Sequence, residues 1–250
     1  MEPELIFLHA AAVLAAFFQS VTGIGFGMIA GPVILIVLDD PAAVVISTCM
    51  SALIAYVLFP FVRHGADWRL TGRFLLGAAI CIPLGAALLA FANIAVLKLI
   101  AGGAIAALTL LMVFGVPGSS RPGLTGDLIF GGLGGLLGAA LAMPGPIAAL
   151  RVSGLGHKKV VVRASMVGFF VGVWPMILAA QWIALDLTLQ SFRNAALLVP
   201  ATLAGLAVGH YAAARVSESF FRRVVIILLF ATSLSLLGNV IWTTVQGGPA

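Results

Sequence analysis

Apolar stretches of about twenty residues recur along this 250-residue chain, separated by short polar breaks, and no other feature narrows its fold as much. That length is what a helix needs to cross the hydrocarbon core of a bilayer. The stretches run over 5–38, 41–62, 74–92, 95–114, 128–150, 161–182, 194–214 and 224–242. They lack the period-two alternation of a barrel strand, so helices are the only spanning structure left. Composition agrees: 62% of residues are hydrophobic and 8% charged, with mean hydropathy +1.20, whereas soluble domains carry roughly 25% charge. The expectation is an all-α polytopic membrane protein, residues 1–250 forming a single transmembrane domain. Glu2 and Glu4 stand where a signal peptide would be basic, and apolar sequence continues beyond any cleavage point, so the first stretch reads as part of the mature fold. Cys49 and Cys81 sit singly in apolar segments and read as packing residues.

The eight stretches fall into two sets of four, residues 5–114 and 124–242. Gly31-Pro32 matches Gly145-Pro146, Val44 matches Val161, Arg69 matches Arg193, Gly85 matches Gly209 and Lys98 matches Arg222, in one order at offsets of 114 to 124. Duplicated halves of this kind are common in transporters. Loop charge indicates how the halves are oriented. If the first stretch of each half is a broken or re-entrant helical hairpin and the other three cross, eleven of the 13 Lys and Arg lie on one side. Single crossings throughout would split them eight to five. Positive charge favours the cytoplasm, so the hairpin arrangement is expected, with inverted repeats and both termini outside.

Chemistry concentrates in residues 19–32, QSVTGIGFGMIAGP, where Gly23, Gly25, Gly27 and Gly31 fall within nine residues and Pro32 follows. Such a stretch should interrupt a helix. Broken backbone survives in a membrane only inside protein or beside a wet cavity, and the N-terminal end of a broken helix offers free N–H groups and a positive dipole to an anion. Gly138 and its neighbouring glycines, followed by Pro144-Gly145-Pro146, supply a second break in the other half. Close packing of small residues is the competing explanation for these glycines, and it is the one assigned to Gly168/Gly172 and Gly205/Gly209. Arg163 opens an apolar run; its guanidinium can pair with an oxyanion or snorkel to lipid headgroups. Ser47, Thr48 and Ser165 lie on the corresponding helices and can donate hydroxyls to a ligand or bond back to their own helix.

The sequence resembles the sulfite exporter TauE/SafE family through its four-plus-four plan, residues 19–27 (QSVTGIGFG) with Pro32, and residues 143–146 (MPGP) with 162–165 (VRAS). The resemblance implies a secondary transporter, by expectation an exporter, of sulfite, sulfonates or related sulfur oxyanions across the bacterial inner membrane. The two breaks, with Arg163 and the neighbouring hydroxyls, are expected to hold the substrate at Gln19, Ser20, Thr22, Gly23, Gly25, Gly27, Pro32, Ser47, Thr48, Gly138, Pro144, Gly145, Pro146, Arg163 and Ser165. Many members have Gly-Gly-Pro-Pro where this chain reads Pro144-Gly145-Pro146-Ile147, and an aromatic where Arg151 stands.

All eight acids fall in termini or at segment edges, which argues against a carboxylate proton relay or a carboxylate-bound metal. His9 and His210 lie within apolar segments; His210 can titrate or simply bridge helices. No clustered nucleophile, acid and base, and no nucleotide-binding loop, point to an enzyme, and no cofactor is expected. The expected partners are a small anion and membrane lipid; basic residues at segment ends set topology and do not bind nucleic acid. Proton or sodium coupling and a homodimer are both compatible with the sequence. An anion channel and a carrier of small carboxylates are the alternative functions.

Overall fold

The structure, a computed structural model, describes residues 3–22, 25–114, 122–185, 187, 189–212 and 218–245. Among them are eleven α-helices, one 3-10 turn and no strand. The helices are α1 (Pro3–Thr22), α2 (Phe26–Leu38), α3 (Ala42–Val62), α4 (Trp68–Phe91), α5 (Ile94–Phe114), α6 (Leu124–Leu141), α7 (Gly145–Gly154), α8 (Lys159–Leu185), α9 (Leu189–Leu197), α10 (Val199–Ala212) and α11 (Glu218–Val245). Seven are long and apolar enough to cross a membrane, and α2 is a shorter apolar helix. The chain is a multi-pass membrane protein.

Two apolar stretches are divided where glycine and proline accumulate. Residues 5–38 become α1 and α2; residues 128–150 become α6 and α7. A third division was not expected: 194–214 splits into α9 and α10 beside Pro200, which sits in the first turn of α10. Proline is tolerated there because a first-turn N–H has no helical partner. Helices also start upstream of their apolar runs. α4 begins at Trp68 because the Asp67 side chain accepts from Leu70 N–H at 3.0 Å, an N-cap that satisfies one of the free donors of the first turn.

Helices pair across the two halves: α4 lies on α6, α1 on α10, α3 on α8 and α5 on α11. Glycines set the first two contacts. A Cβ on Gly85 would stand 2.9 Å from Ala139 Cβ, beside the Leu136 carbonyl; one on Gly209 would stand 2.9 Å from Ser20 Cβ, beside the Phe17 carbonyl. Backbones meet this closely only where one partner lacks a side chain. Gly168 and Gly172 similarly receive side chains of α4, namely Trp68 and Leu75. Leu76, Ile80 and Leu84 line the exposed side of α4, and Phe230, Leu234 and Ile241 that of α11. In a bilayer these faces meet lipid without penalty.

Polar contacts fix which chain ends lie together. At one end Lys98 Nζ donates to Asp39 Oδ1 at 2.6 Å and to Asn239 Oδ1 at 2.8 Å. Phe7 of α1 shares a groove with Ile36 and Val37 of α2 near that end, so α2 returns towards the start of α1. At the other end Asp127, in the first turn of α6, accepts from Arg73 of α4 and from Arg151 of α7, both at 2.9 Å. α7 therefore returns to the start of α6. Arg121 and Arg215, which entered the loop-charge argument, lie outside the described residues.

Candidate functional site

The first break turns on Gly25, whose φ of 132° lies where a side chain is rarely tolerated. Its carbonyl accepts from Met28 and Ile29 N–H, both at 3.1 Å, and starts α2. Gln19, buried on the last turns of α1, closes the gap. Its Oε1 accepts from Phe26 N–H at 3.0 Å while its Nε2 donates to the Ser51 carbonyl of α3 at 3.2 Å. Because the Phe26 N–H must meet an acceptor, the amide can sit only one way round. At the C-terminal end of α1, Arg163 Nη2 donates to the Ser20 carbonyl at 2.7 Å. A cation at a helix C-terminus offsets the negative dipole end.

The second break turns on Ala142, in the left-handed region with φ 57°. Ala142 N–H donates to the Gly138 carbonyl at 2.9 Å and Met143 N–H to the Leu137 carbonyl at 3.3 Å, the paired bonds of a helix closing on its own carbonyls. Pro144 then caps α7, and Pro146 lies in its first turn. The breaks touch. Gly27, at the start of α2, lies so close to the Ala142 carbonyl that no Cβ would fit.

Between them is a hollow lined by Gln19, Gly25, Gly27 and Ser51 from the first half and by Met143, Pro144, Gly145, Phe170 and Trp174 from the second. The N-terminal ends of α2 and α7 both open onto it, so two positive dipole ends share one hollow. Phe170 and Trp174 stack at 5.8 Å between ring centres and form an aromatic wall. The volume open to a water centre is about 10 Å³, enough for roughly one water.

Of the expected site residues, Gln19, Gly25, Gly27, Pro144, Gly145 and Pro146 come together around this hollow. Gly23 and the side chain of Thr22 lie outside the described residues. Ser20 lies beside the site but its Oγ donates to the Leu206 carbonyl of α10 at 3.0 Å. Ser47 and Thr48 donate to the Ala43 and Val44 carbonyls of their own helix, each at 2.9 Å. Ser165 Oγ accepts from Asp67 N–H at 2.9 Å, at the start of α4 and away from the hollow. Pro32 faces the groove beside Phe7, and Gly138 packs against Ile177 and Pro144. Arg163 does not line the hollow; it reaches the adjoining end of α1.

Two lining residues, Ser51 and Trp174, were not singled out from the sequence. Ser51 continues the polar face of Ser47 and Thr48 at helical spacing. Trp174 falls in the middle of α8, away from the interfaces where tryptophan concentrates. Only the mid-helix placement of Trp174 was a legible signal. The Arg73–Asp127–Arg151 cluster was also missed: Asp127 and Arg151 are near-terminal in their segments, yet both are buried.

The family model for the sulfite exporter TauE/SafE matches residues 8–236. No curated protein matches the chain, and no solved structure does.

Proposed function

The chain belongs to the sulfite exporter TauE/SafE family, and from that premise we propose that it is a secondary transporter that carries small sulfur oxyanions, such as sulfite or sulfonates, out across the bacterial inner membrane. The observation that carries this reading is the meeting of two helix N-termini at one small hollow between the halves. A negative solute held there gains two dipole ends without a buried counter-charge. Alternating access follows if the halves are inverted repeats that rock about this point. The reciprocal packing supports it: the first helix of each hairpin lies against the third segment of the other half, through Gly85 in one case and Gly209 in the other. Loop charge supports a cytoplasmic face at the Asp127 end.

The test is flux in proteoliposomes containing the purified full-length chain. Efflux of sulfite or a sulfonate should saturate with concentration and accelerate when the same anion is present on the far side. A conductance that neither saturates nor shows counter-transport would make the protein a channel. Thermal stabilisation by carboxylates alone, with none by sulfite or sulfonates, would remove the sulfur assignment.

A further inference from the structure

We propose that the Ser51 hydroxyl and the Trp174 indole N–H are the side-chain donors that receive the transported anion, and that the hollow they serve selects a singly charged oxyanion, such as a sulfonate or hydrogensulfite, over a dianion. The inference rests on the transport reading above, and adds to it the recognition residues and the charge of the substrate.

Both residues are almost wholly enclosed, with Ser51 at 1% and Trp174 at 2% exposure, and both line the hollow. Neither Ser51 Oγ nor Trp174 Nε1 has a hydrogen-bond partner among the described residues. Buried donors are ordinarily satisfied, so an orphan calls for a ligand or a water. Ser51 departs from the habit of its neighbours. Ser47 and Thr48, one turn earlier, and Thr109 on α5 all donate to a carbonyl of their own helix. Ser51 does not, although its own carbonyl is held by Gln19 at 3.2 Å and its position in the wall is thereby fixed. Trp174 is held by its stack on Phe170 at 5.8 Å. An indole N–H donates and never accepts, so only a group with a free lone pair can satisfy it.

The two orphan residues line the same space as the α2 and α7 N-termini; the indole N–H requires an acceptor, and the Ser51 hydroxyl can donate to the same one. A sulfonate presents three acceptor oxygens and no proton. None of the described residues lining the hollow is Lys, Arg, His, Asp or Glu. Charge must therefore be balanced by dipoles and hydrogen bonds alone. The cost of stripping water from an ion grows with the square of its charge, whereas fixed dipoles repay it in proportion to the charge. The balance favours a monoanion.

The experiment uses the full-length chain in detergent micelles or nanodiscs, titrated by calorimetry with methanesulfonate and with sulfate, alongside thermal melts of Ser51→Ala and Trp174→Phe. Methanesulfonate should bind the parent chain at least about tenfold more tightly than sulfate, and each variant should weaken methanesulfonate at least about tenfold, the usual effect of losing one hydrogen bond to a charged group. Without ligand, Ser51→Ala should melt at or above the parent temperature, because it removes an unsatisfied buried group; a residue with a packing role would lower it. Should Trp174→Phe fail to fold, Ser51→Ala decides the question. Parent-like affinity in the folded variants would overturn the donor assignment and leave the transport reading standing. Sulfate binding as tight as methanesulfonate would overturn the charge preference. If the parent chain binds neither anion nor sulfite, both readings fall together.

Discussion

The two hairpins present the same feature, a helix N-terminus opening onto a shared hollow, yet they are held in place by different chemistry. The α1–α2 hairpin is secured chiefly at its tip, its base carrying the Lys98–Asp39 pair, whose carboxylate is 61% exposed. Neutral hydrogen bonds from Gln19 close its break, and Arg163 of α8 reaches the end of α1. The α6–α7 hairpin closes its tip through the Ala142 and Met143 amides, with Gln181 of α8 donating to the Ala139 carbonyl at 2.9 Å, and is secured at its base, where Asp127 binds both Arg151 and Arg73. The difference teaches that the helix ends, and not the residues holding them, are what the two halves have in common. It also separates stability from binding. Polar side chains lie beside the hollow in the first hairpin, whereas the charges of the second lie at the far end of the bundle.

The comparison breaks most severely at the backbone contact that seats the second hairpin. Gly135 of α6 faces α4 so closely that a Cβ would stand 2.6 Å from Ala78 Cα and 2.9 Å from Ala78 Cβ. Gly135→Leu must push the helices apart, at a cost above about 3 kcal/mol. Little monodisperse protein should survive size exclusion in detergent. The same change at Gly205, which abuts the Val13 backbone of α1, tests whether the first hairpin is seated as firmly. A parent-like melt for either variant would mean that these contacts are looser than drawn.

Next in size is the ion cluster. Asp127→Ala leaves the Arg151 guanidinium, with 5% of its side chain exposed, without its carboxylate. Breaking a buried pair in this way costs about 3–5 kcal/mol. Arg73 is the lesser partner because its side chain is 26% exposed and can turn to water or headgroups. Asp127→Leu combined with Arg151→Met removes both charges and should recover much of the loss, since an apolar pair of similar volume often replaces an ion pair without penalty. Thermal melts of the single and double variants decide it. A double variant no more stable than Asp127→Ala would show that the charges do more than secure the base.

What the sequence revealed follows the same division. Spans were legible because apolar runs of membrane length have no other use, and both breaks because glycine and proline are unfavourable in a helix whichever helix it is. Loop charges anticipated the ends that contact brings together, as Asp39 with Lys98 and Asp127 with Arg151 show. Hydroxyls were not legible. Ser47, Thr48 and Ser51 look alike in a string, but the first two bond to their own helix and the third does not; only the approach of Gln19 and of α7 distinguishes them. Asp127 looked like an ordinary segment-edge acid because its burial depends on three helices that are distant in sequence.

The smallest effect sharpens the comparison at the tip of the first hairpin. In the sequence Arg163 reads as either an anion contact or a snorkelling cation; its Nη2 donates to the Ser20 carbonyl at 2.7 Å, while its buried Nε has no partner among the described residues. It offsets a helix end that the second hairpin closes with the Ala142 and Met143 amides. Arg163→Ala should therefore lower stability by about 1 kcal/mol, the usual scale for a cation at a helix C-terminus, and α1 should fray by a turn without leaving its seat on Gly205 and Gly209. Anion affinity should fall by less than about threefold, because the guanidinium acts on the helix end and not on the solute. Calorimetry with methanesulfonate separates the two roles: a loss as large as that of Ser51→Ala would place the guanidinium on the anion itself, and the first hairpin would then carry a charge contact that the second lacks.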